Sequence, residues 1–400
     1  MTRQYRFALL GHPLGHSLSP QIHQAIYQAA GVKAVYDLLD TPEAQLPLRL
    51  PQLLETLDGF NITIPYKEKV LDWLPTLDAS AQACGAVNTV ACAARRGYNT
   101  DIIGVRSLGL PYRDREVLLL GSGGAARVMA QAALEAGCRR LSVWSRHPER
   151  SRQFCAELLR RQPQTDPARV RALEQAQLQA WAAARPELQP TVLLNATPAG
   201  MWPDCRALPL PEALLRQLLA GGRLASDHSL RPPVVFDAIY NPTATRLLLL
   251  AASYGWAIHN GLQMLLSQAL EACGIWLGPE RITPQLRLTL QQTLPSRLAA
   301  DLWRRQPPRL VLSVGSGSGA GSLTPAWRQA LSRLLAQKGI NRLTWGPADL
   351  APDCLSLRLD PLAAPQAGRG ERQSSQGADF YCQASQPESA AVRIAEVFGL

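Results

Sequence analysis

Short apolar runs alternate with longer helical patterns from residue 5 to about residue 280. The runs at 5–10, 117–120, 191–194 and 234–240 are typical of strands, and the run at 117–120 is wholly apolar, as in a strand buried on both faces. A loop of glycine or polar residues follows each run, and a helical pattern follows most of these loops. This alternation predicts an α/β fold.

A glycine turn follows the run at 117–120 and opens into a helical pattern at 127–134. Its residues are Gly121, Ser122, Gly123, Gly124 and Ala125. Glycines let a backbone approach a phosphate closely, and the free N–H groups and dipole of a helix N-terminus favour its negative charge. The same turn can also be only a tight strand-to-helix connection, so its neighbours must decide between the two interpretations.

A loop dense in turn residues and hydroxyls follows the first run. Pro20 suits the first turn of a helix at about 21–30, and Ser19 is predicted to be the N-cap of that helix. Ser17 and Ser19 are therefore either capping groups or hydrogen-bond donors to a hydroxylated or carboxylated ligand.

Lys67 lies just beyond a predicted strand at 59–64, past a proline that stops sheet pairing. Alternation predicts that Asn61 and Thr63 face one side of this strand. The other side is predicted to carry the apolar residues Phe60, Ile62 and Ile64. Polar groups at strand carboxyl ends are where open α/β sheets bind ligands. Lysine is scarce in this chain, and lysine can give up a proton whereas arginine cannot, so Lys67 is a candidate for chemistry.

The stretches 84–90 and 97–101 are predicted to form a hairpin or paired strands with polar tips. Asn88 and Asp101 lie at these tips, where such residues are commonly plain turn residues.

Composition excludes several classes of protein. The formal charge is +10, but the basic residues form no long run and do not interleave with aromatics, so no nucleic-acid partner is predicted. No apolar run approaches the roughly 20 residues of a membrane span, and the N-terminus lacks a secretory pattern. The 8 cysteines are scattered without a C-x-x-C pair, which favours reduced thiols in a cytoplasmic protein. No metal site is predicted, because no acidic residue accompanies the clustered histidines His12, His16 and His23.

The loop after a predicted strand at 141–144 indicates which dinucleotide the turn would take. An NAD site usually has an acidic residue here to accept the ribose 2′-hydroxyl, whereas Arg146 and Arg150 suit a 2′-phosphate. The sequence therefore favours NADP over NAD.

Several ordered motifs resemble those of the shikimate dehydrogenase family over residues 5 to about 280. They are GHPLGHSLSPQIH at 11–23, NITIPYK at 61–67, GAVNT at 85–89, NTD at 99–101, GSGGAA at 121–126, NATPAGM at 195–201, DAIYNP at 237–242 and GLQML at 261–265 followed by Gln268. The resemblance implies NADP-dependent interconversion of 3-dehydroshikimate and shikimate, a step of aromatic amino-acid biosynthesis. Alternatives are a quinate/shikimate dehydrogenase with relaxed cofactor use, or a non-catalytic ligand-sensing or scaffolding protein.

The resemblance also implies the site. Lys67 and Asp101 match the catalytic pair, and a lysine near a carboxylate can take and return the proton that hydride transfer at an alcohol requires. The positions that match substrate-binding residues are Ser17, Ser19, Thr63, Lys67, Asn88, Asp101, Tyr240 and Gln268. Besides the glycine turn, Arg146 and Arg150, the implied cofactor-binding residues are Ser145, Asn195, Thr197, Ala238, Gly261 and Met264.

The implied architecture is two-domain α/β. An N-terminal substrate-binding domain spans 1–103 and is completed by helices at about 243–280, and a Rossmann-type NADP-binding domain spans 104–242. A monomer or homodimer is expected. Three residues depart from the family's usual pattern: His12 for Asn, Ile102 for Gly and Ser145 for Asn. Ile102 adds bulk beside Asp101.

The last hundred residues lie outside the resemblance. A helix and linker are predicted at 281–308, and 309–400 is an extension without an assigned function, either a small α/β module or a partly flexible segment. A strand at 309–314, a glycine loop at 315–322 and a helix at 325–337 repeat the order of the earlier turn, but the loop lacks the lysine of a kinase-type phosphate loop. Residues 365–377 are predicted to be disordered.

Overall fold

The computed structural model describes residues 3–15, 17–183, 190–226, 232–305, 309–314, 325–337, 343–345, 354–360 and 380–383. The chain divides into two compact units. The first consists of Met1–Asp114, Gly121–Ala172 and Gln263–Thr293, and the second of Arg115–Leu120, Leu173–Leu262 and Leu294–Leu400. The domain boundaries expected from the sequence stay a prediction.

The first hundred residues form a six-stranded mixed sheet. Its strands are β1 (Tyr5–Gly11), β2 (Ala34–Asp40), β3 (Gly59–Ile62), β4 (Thr76–Leu77), β5 (Thr89–Ala91) and β6 (Arg96–Tyr98), in the order β2-β1-β3-β5-β6-β4. Its helices are α1 (Ser19–Ala29), α2 (Leu46–Thr56), α3 (Ala79–Cys84) and α4 (Asp101–Arg106). Strand β1 pairs in parallel with β2 and β3, whereas β5 is antiparallel to β3 and β6, so the predicted pair at 84–90 and 97–101 is a hairpin. Leu10, Leu50, Phe60 and Ile62 are buried in its core.

A second six-stranded sheet has the strand order of a dinucleotide-binding fold. Its strands are β7 (Glu116–Leu120), β8 (Arg140–Trp144), β9 (Val170–Leu173), β10 (Val192–Asn195), β11 (Val234–Asp237) and β12 (Ala257–His259). The intervening helices are α5 (Gly124–Glu135), α6 (Pro148–Arg161), α7 (Gln175–Ala182), α8 (Glu212–Ser226) and α9 (Arg246–Ser253). The spatial order β9-β8-β7-β10-β11-β12 is the 3-2-1-4-5-6 order of doubly wound sheets. The order reverses between β7 and β10, which is where such sheets bind ligands, and the glycine turn follows β7. The predicted fold class is confirmed.

Two long helices follow this sheet, α10 (Gly261–Leu277) and α11 (Pro284–Arg305). The C-terminal part then contains α12 (Pro325–Gln337) and the strands β13 (Arg309–Val314), β14 (Leu343–Trp345), β15 (Cys354–Asp360) and β16 (Phe380–Gln383). These strands form a parallel sheet in the order β14-β13-β15-β16, so a small α/β module is present. The predicted glycine loop at 315–322 and the predicted disorder at 365–377 lie outside the described residues, as does the part of the predicted linker at 306–308.

The segment from 162 to 190 differs from its prediction as a single helix between linkers. It contains a short 3-10 turn at Pro167–Arg169, then β9 and α7. The abundance of Ala, Gln and Arg favours a helix in an isolated chain, but burial of Val170 and Leu173, only 7% and 3% exposed, secures an edge strand instead. Tertiary packing therefore overrides local propensity here.

Across the described residues, none of the helices combines the length and the apolar character that crossing a bilayer requires.

Candidate functional site

The centre of the candidate site is an ion pair between Lys67 and Asp101. Lys67 follows the turn after β3, and Asp101 is the first residue of α4. Lys67 Nζ lies 2.7 Å from Asp101 Oδ2, and the two side chains are only 22% and 12% exposed. The structure therefore brings together the two residues predicted as the catalytic pair, and Asp101 is not a solvated turn residue.

Amide and hydroxyl groups beside the ion pair form a buried hydrogen-bonded cluster. The Thr100 amide donates to Asn88 Oδ1 at 2.7 Å, and Asn88 Nδ2 donates to the Thr100 hydroxyl at 3.0 Å. The same hydroxyl lies 3.4 Å from Gln268 Oε1 of α10. Asn88 and Gln268 are 3% and 8% exposed, so these two predicted substrate residues lie in one buried polar cluster, joined through Thr100, the residue before Asp101.

A second layer of polar groups supports this cluster, and the sequence analysis missed it. The Tyr36 hydroxyl donates to Asn61 Oδ1 at 2.7 Å, and Asn61 Nδ2 donates to the Thr89 hydroxyl at 2.9 Å. Thr89 in turn donates to Asn88 Oδ1 at 3.0 Å. Tyr36 and Asn61 hold Asn88 in place from β2 and β3. A signal for Asn61 was available in the sequence, since it is a polar residue inside a strand whose four residues are all buried.

The serine loop differs from its prediction. Helix α1 already begins at Ser19, and its N-cap is Leu18, which has no capping side chain. Instead, the Ser19 amide donates to Ser17 Oγ at 3.2 Å. The prediction of Ser19 as N-cap was therefore wrong, because Ser17 provides the oxygen that accepts from the first turn.

His12 also has an acidic partner that the sequence analysis missed. Its Nδ1 lies 2.5 Å from Asp40 Oδ1, because the parallel pairing of β1 and β2 sets Gly11 opposite Asp40. The amide of Leu14 donates to the other carboxylate oxygen at 3.2 Å. The bond from His12 is the main cause that lowers the pKa of Asp40. Among the described residues, no group of three or more potential ligands is arranged to hold a metal ion.

Thr63 and Ile64 follow β3. The Thr63 amide donates to Leu10 O at 2.9 Å, and its methyl group packs so closely on Gly11 that a Cβ there would lie 2.4 Å from Thr63 Cγ2. Ile64 was expected on the apolar face but is 74% exposed. The reason is that β3 ends at Ile62 and the chain turns, with the Tyr66 amide donating to Thr63 O at 3.0 Å, so the alternation stops.

The glycine turn fits a phosphate. Gly121 has a φ of +106°, a conformation that favours glycine, and its amide donates to Trp144 O at 2.8 Å. Helix α5 has Gly123 as N-cap and no side chain capping its first amides. A Cβ placed on Gly123 or Gly124 would meet no heavy atom of the described chain within 4 Å. The first amides of α5 therefore face open space, as an anion site requires.

The loop before α6 carries unopposed positive charge. Arg146 and Arg150 are exposed, and within the described part of the chain neither side chain forms an ion pair or hydrogen bond. The nearby carboxylate of Glu149 is instead close to His147, with Oε1 3.6 Å from Nδ1. Ser145 Oγ donates to the carbonyl of His147 at 2.8 Å and fixes the loop. Two free guanidinium groups suit a phosphate monoester.

The second unit holds a buried carboxylate that the sequence analysis did not single out. Asn195 Nδ2 donates to Asp237 Oδ1 at 3.0 Å, and the Thr245 hydroxyl donates to Oδ2 at 2.6 Å. The Thr197 hydroxyl donates to Asn195 Oδ1 at 2.7 Å, so Asp237 indirectly orients this predicted cofactor residue. Burial raises the pKa of Asp237 to about 7, against the effect of its hydrogen-bond donors.

The remaining predicted cofactor and substrate residues lie at close backbone approaches or are partly buried. A Cβ on Gly261 would lie 2.1 Å from Ala238 O, so the start of α10 packs directly on the chain after β11. In the first unit, a Cβ on Gly104 of α4 would lie 2.6 Å from Met264 O. In the second unit, burial raises the pKa of the Tyr240 phenol.

Two features define the class of protein. The second sheet has the dinucleotide-binding strand order and an open glycine turn, and a lysine is held against a carboxylate. Together they are typical of a nicotinamide-dependent oxidoreductase that acts on an alcohol. Residues 9–90 match the model of the shikimate dehydrogenase substrate binding domain. The chain belongs to the shikimate dehydrogenase family.

Relatives support this assignment over most of the chain. A shikimate dehydrogenase (NADP(+)) of Symbiobacterium thermophilum is 34% identical over 277 residues, which covers 68% of this chain and 88% of the relative. One from Moorella thermoacetica is 36% identical over 281 residues, with the same coverage of 68% and 88%. A crystal structure of shikimate 5-dehydrogenase from Thermus thermophilus, in complex with NADP(H) and shikimate, is 33% identical, with a TM-score of 0.55, and covers 72% of this chain and 100% of that one.

Proposed function

We propose that this chain catalyses the NADP-dependent, reversible reduction of 3-dehydroshikimate to shikimate. The observation that carries the proposal is the 2.7 Å contact between Lys67 Nζ and Asp101 Oδ2 beside a buried cluster of amides and hydroxyls. The names of the relatives, and the shikimate and NADP(H) bound in the Thermus structure, support the choice of substrate and cofactor.

The ion pair handles the proton of the reaction. NADPH supplies the hydride in one direction and NADP accepts it in the other. Lys67 Nζ holds the reacting oxygen of the substrate and gives it a proton, which Nζ takes back in the reverse reaction. Asp101 orients the ammonium and stabilises its charge. Because the two groups are in contact, the role of base is assigned to the pair and not to either residue alone.

The hydroxyl and amide side chains around the ion pair bind the substrate. In this proposal the substrate's carboxylate and remaining hydroxyls are held by Ser17, Ser19, Thr63, Asn88, Tyr240 and Gln268, together with Lys67 and Asp101. A ligand that lacks one of the hydroxyls would leave a buried partner unsatisfied, which gives specificity. Among these residues, Asn88 is 3% exposed and is held in place by Thr89 and Thr100.

The glycine turn and the arginine loop bind the cofactor in the same proposal. The glycine turn from Gly121 to Ala125, which leads into the uncapped first amides of α5, receives the diphosphate. Ser145, Arg146 and Arg150 receive the 2′-phosphate. The remaining contacts are assigned to Asn195, Thr197, Ala238, Gly261 and Met264. Their support is the match of these positions to the family's motifs.

The test is formation of NADPH by the full chain from shikimate and NADP, compared between two lysine variants. Lys67→Met should lower kcat by about 100- to 10,000-fold, the usual contribution of a positioned proton donor. Lys69→Met is the matched control, since Lys69 is two residues away, 43% exposed and, among the described residues, paired only with Glu43. It should change kcat less than twofold. Equal rates for the parent and Lys67→Met, or no turnover by the parent, would refute the proposal.

Two further arms narrow the assignment. Rates with quinate and with NAD, measured beside shikimate and NADP, separate the proposed activity from a relaxed quinate/shikimate dehydrogenase. We also infer a cytoplasmic monomer or homodimer without nucleic-acid or membrane partners. The free and buried state of Cys84, Cys92, Cys138, Cys155, Cys205 and Cys273 supports a reducing compartment, and sedimentation of the purified chain tests the oligomeric state.

A further inference from the structure

Arg127 connects the helix after the glycine turn to the loop that carries Lys67. It lies in the first turns of α5, and its side chain is only 16% exposed. Its Nη1 lies 2.7 Å from Glu157 Oε2 of α6, and its Nε lies 3.4 Å from Oε1 of Glu68, the residue directly after Lys67. All four residues belong to the first compact unit.

The two contacts of Arg127 are unequal. Burial alone would raise the pKa of Glu157, but the hydrogen bond and charge of Arg127, with smaller effects of Gln153 and Arg161, lower it below the usual value. The guanidinium carbon also lies 6.0 Å from the centre of the Phe154 ring, so α6 fixes the arginine on one side. On the other side, Nε is buried without a hydrogen bond, although Glu68 is within ion-pair distance. The arginine therefore has one secure partner, Glu157, and one unsatisfied donor that lies 3.4 Å from Glu68 in the loop that carries Lys67.

An unsatisfied buried donor costs free energy that a small movement of Glu68 would recover. The distance between Arg127 Nε and Glu68 Oε1 is 3.4 Å, and shortening it by a few tenths of an ångström brings it into the range of a charge-assisted hydrogen bond. Any ligand that fixes α5, such as a diphosphate at its first amides, fixes Arg127 as well. The same ligand then favours the position of Glu68 in which its carboxylate accepts a hydrogen bond from Arg127 Nε. Because Lys67 is the preceding residue, its position is favoured as well.

We propose that Arg127 is a positioning residue that couples cofactor binding at the glycine turn to substrate binding at Lys67, through Glu68. Dinucleotide and substrate then bind with positive coupling, each tightening the other by the same factor. The inference rests on the proposed function, because it uses the same cofactor turn and the same lysine. The charge of Glu68 is the part of the link that a substitution can remove without disturbing the core, since its side chain is 53% exposed.

The experiment measures the dissociation constant of NADPH by its fluorescence, with and without saturating shikimate. This pair does not react, because both ligands are reduced. The full-length parent should bind NADPH about 5- to 10-fold more tightly when shikimate is present, a typical size for coupling between sites. Glu68→Gln should reduce this factor to less than twofold while changing NADPH affinity alone less than about threefold.

Two variants complete the test. Glu55→Gln removes another exposed charge, 66% exposed against 53% for Glu68, that pairs with Arg95, and it should keep the full coupling. In an Arg127→Lys background, which lacks the guanidinium fork, Glu68→Gln should have no further effect on the coupling factor. The inference would be overturned by a parent that shows no coupling, or by a Glu68→Gln variant that keeps the coupling. In either case, turnover of shikimate by the parent would leave the proposed function standing. A parent that forms no NADPH from shikimate would instead refute the proposed function.

Discussion

Asp237 makes a prediction that can be worked out from the structure. It ends β11, is 0% exposed, and accepts hydrogen bonds from the Thr245 hydroxyl, the Asn195 amide and the Ile239 backbone. Burial nevertheless raises the pKa of this carboxyl from 3.8 to about 7. The perturbation is Asp237→Asn, which keeps the shape of the side chain and removes its titration.

The sign follows from proton binding. The folded state holds the proton of Asp237 up to about pH 7, whereas the unfolded chain releases it near pH 4. The contribution of this group to stability is therefore complete below about pH 4 and is lost as the pH rises through about 7. A shift of about three units at 1.36 kcal/mol per unit makes the loss about 4 kcal/mol, as an order of magnitude. Because asparagine does not titrate, the variant lacks this loss.

The assay is urea unfolding of parent and variant at several values between about pH 4 and pH 7.5. Other groups titrate in both proteins, so the quantity of interest is the difference between their free energies of unfolding. Asn at 237 also lowers the free energy of unfolding by a constant amount, about 1–3 kcal/mol, because its amide group faces hydrogen-bond donors. The difference should then shift by about 4 kcal/mol in favour of the variant as the pH rises. Asp204→Asn, at an exposed site in the same unit, is the control and should show no such shift. Parallel curves for parent and Asp237→Asn would refute the reasoning.

Three further substitutions have defined outcomes. Gly104→Ala places a Cβ 2.6 Å from Met264 O and should destabilise the chain by about 1–3 kcal/mol in thermal unfolding; an unchanged Tm would contradict the close approach. Tyr36→Phe leaves Asn61 Oδ1 without its donor and should cost about 1–3 kcal/mol in urea unfolding, whereas a neutral result would mean that the bond contributes nothing. Arg146→Gln should raise KM for NADP about tenfold and leave KM for NAD within about twofold; equal changes for both cofactors would argue against a 2′-phosphate contact.

Local patterns were sufficient for the frame of the fold. The runs 117–120 in β7 and 192–194 in β10 can be recognised in the sequence, because strands covered on both faces carry near-continuous apolar runs. The glycine turn was also predictable. The positive φ of Gly121 favours a residue without a Cβ, and the open N-terminus of α5 requires that no side chain caps it. These features depend on neighbours in sequence.

The polar network around Asn88 could not be predicted in this way, because its partners are distant in sequence. Thr100 is 12 residues from Asn88 and 168 from Gln268. The ion pair of His12 with Asp40 likewise depends on the register of β1 and β2, which no local pattern sets. Even the resemblance to a known family named Asn88 and Gln268 without naming Tyr36 or Thr100, which connect them to the core.

The scarcity of lysine agrees with the different roles of lysine and arginine in the first unit. Only Lys33, Lys67, Lys69 and Lys338 occur among the 41 basic residues, and arginine takes most of the remaining structural roles. Arg127 and Arg161 show why arginine suits those roles: the first joins Glu68 and Glu157, and the second lies flat over Gly85, where a Cβ would meet its guanidinium at 2.3 Å. Arginine cannot exchange a proton with a substrate near neutral pH, so the position beside Asp101 requires lysine. A bias visible in the composition thus separates the basic side chain proposed for chemistry from those that hold the fold together.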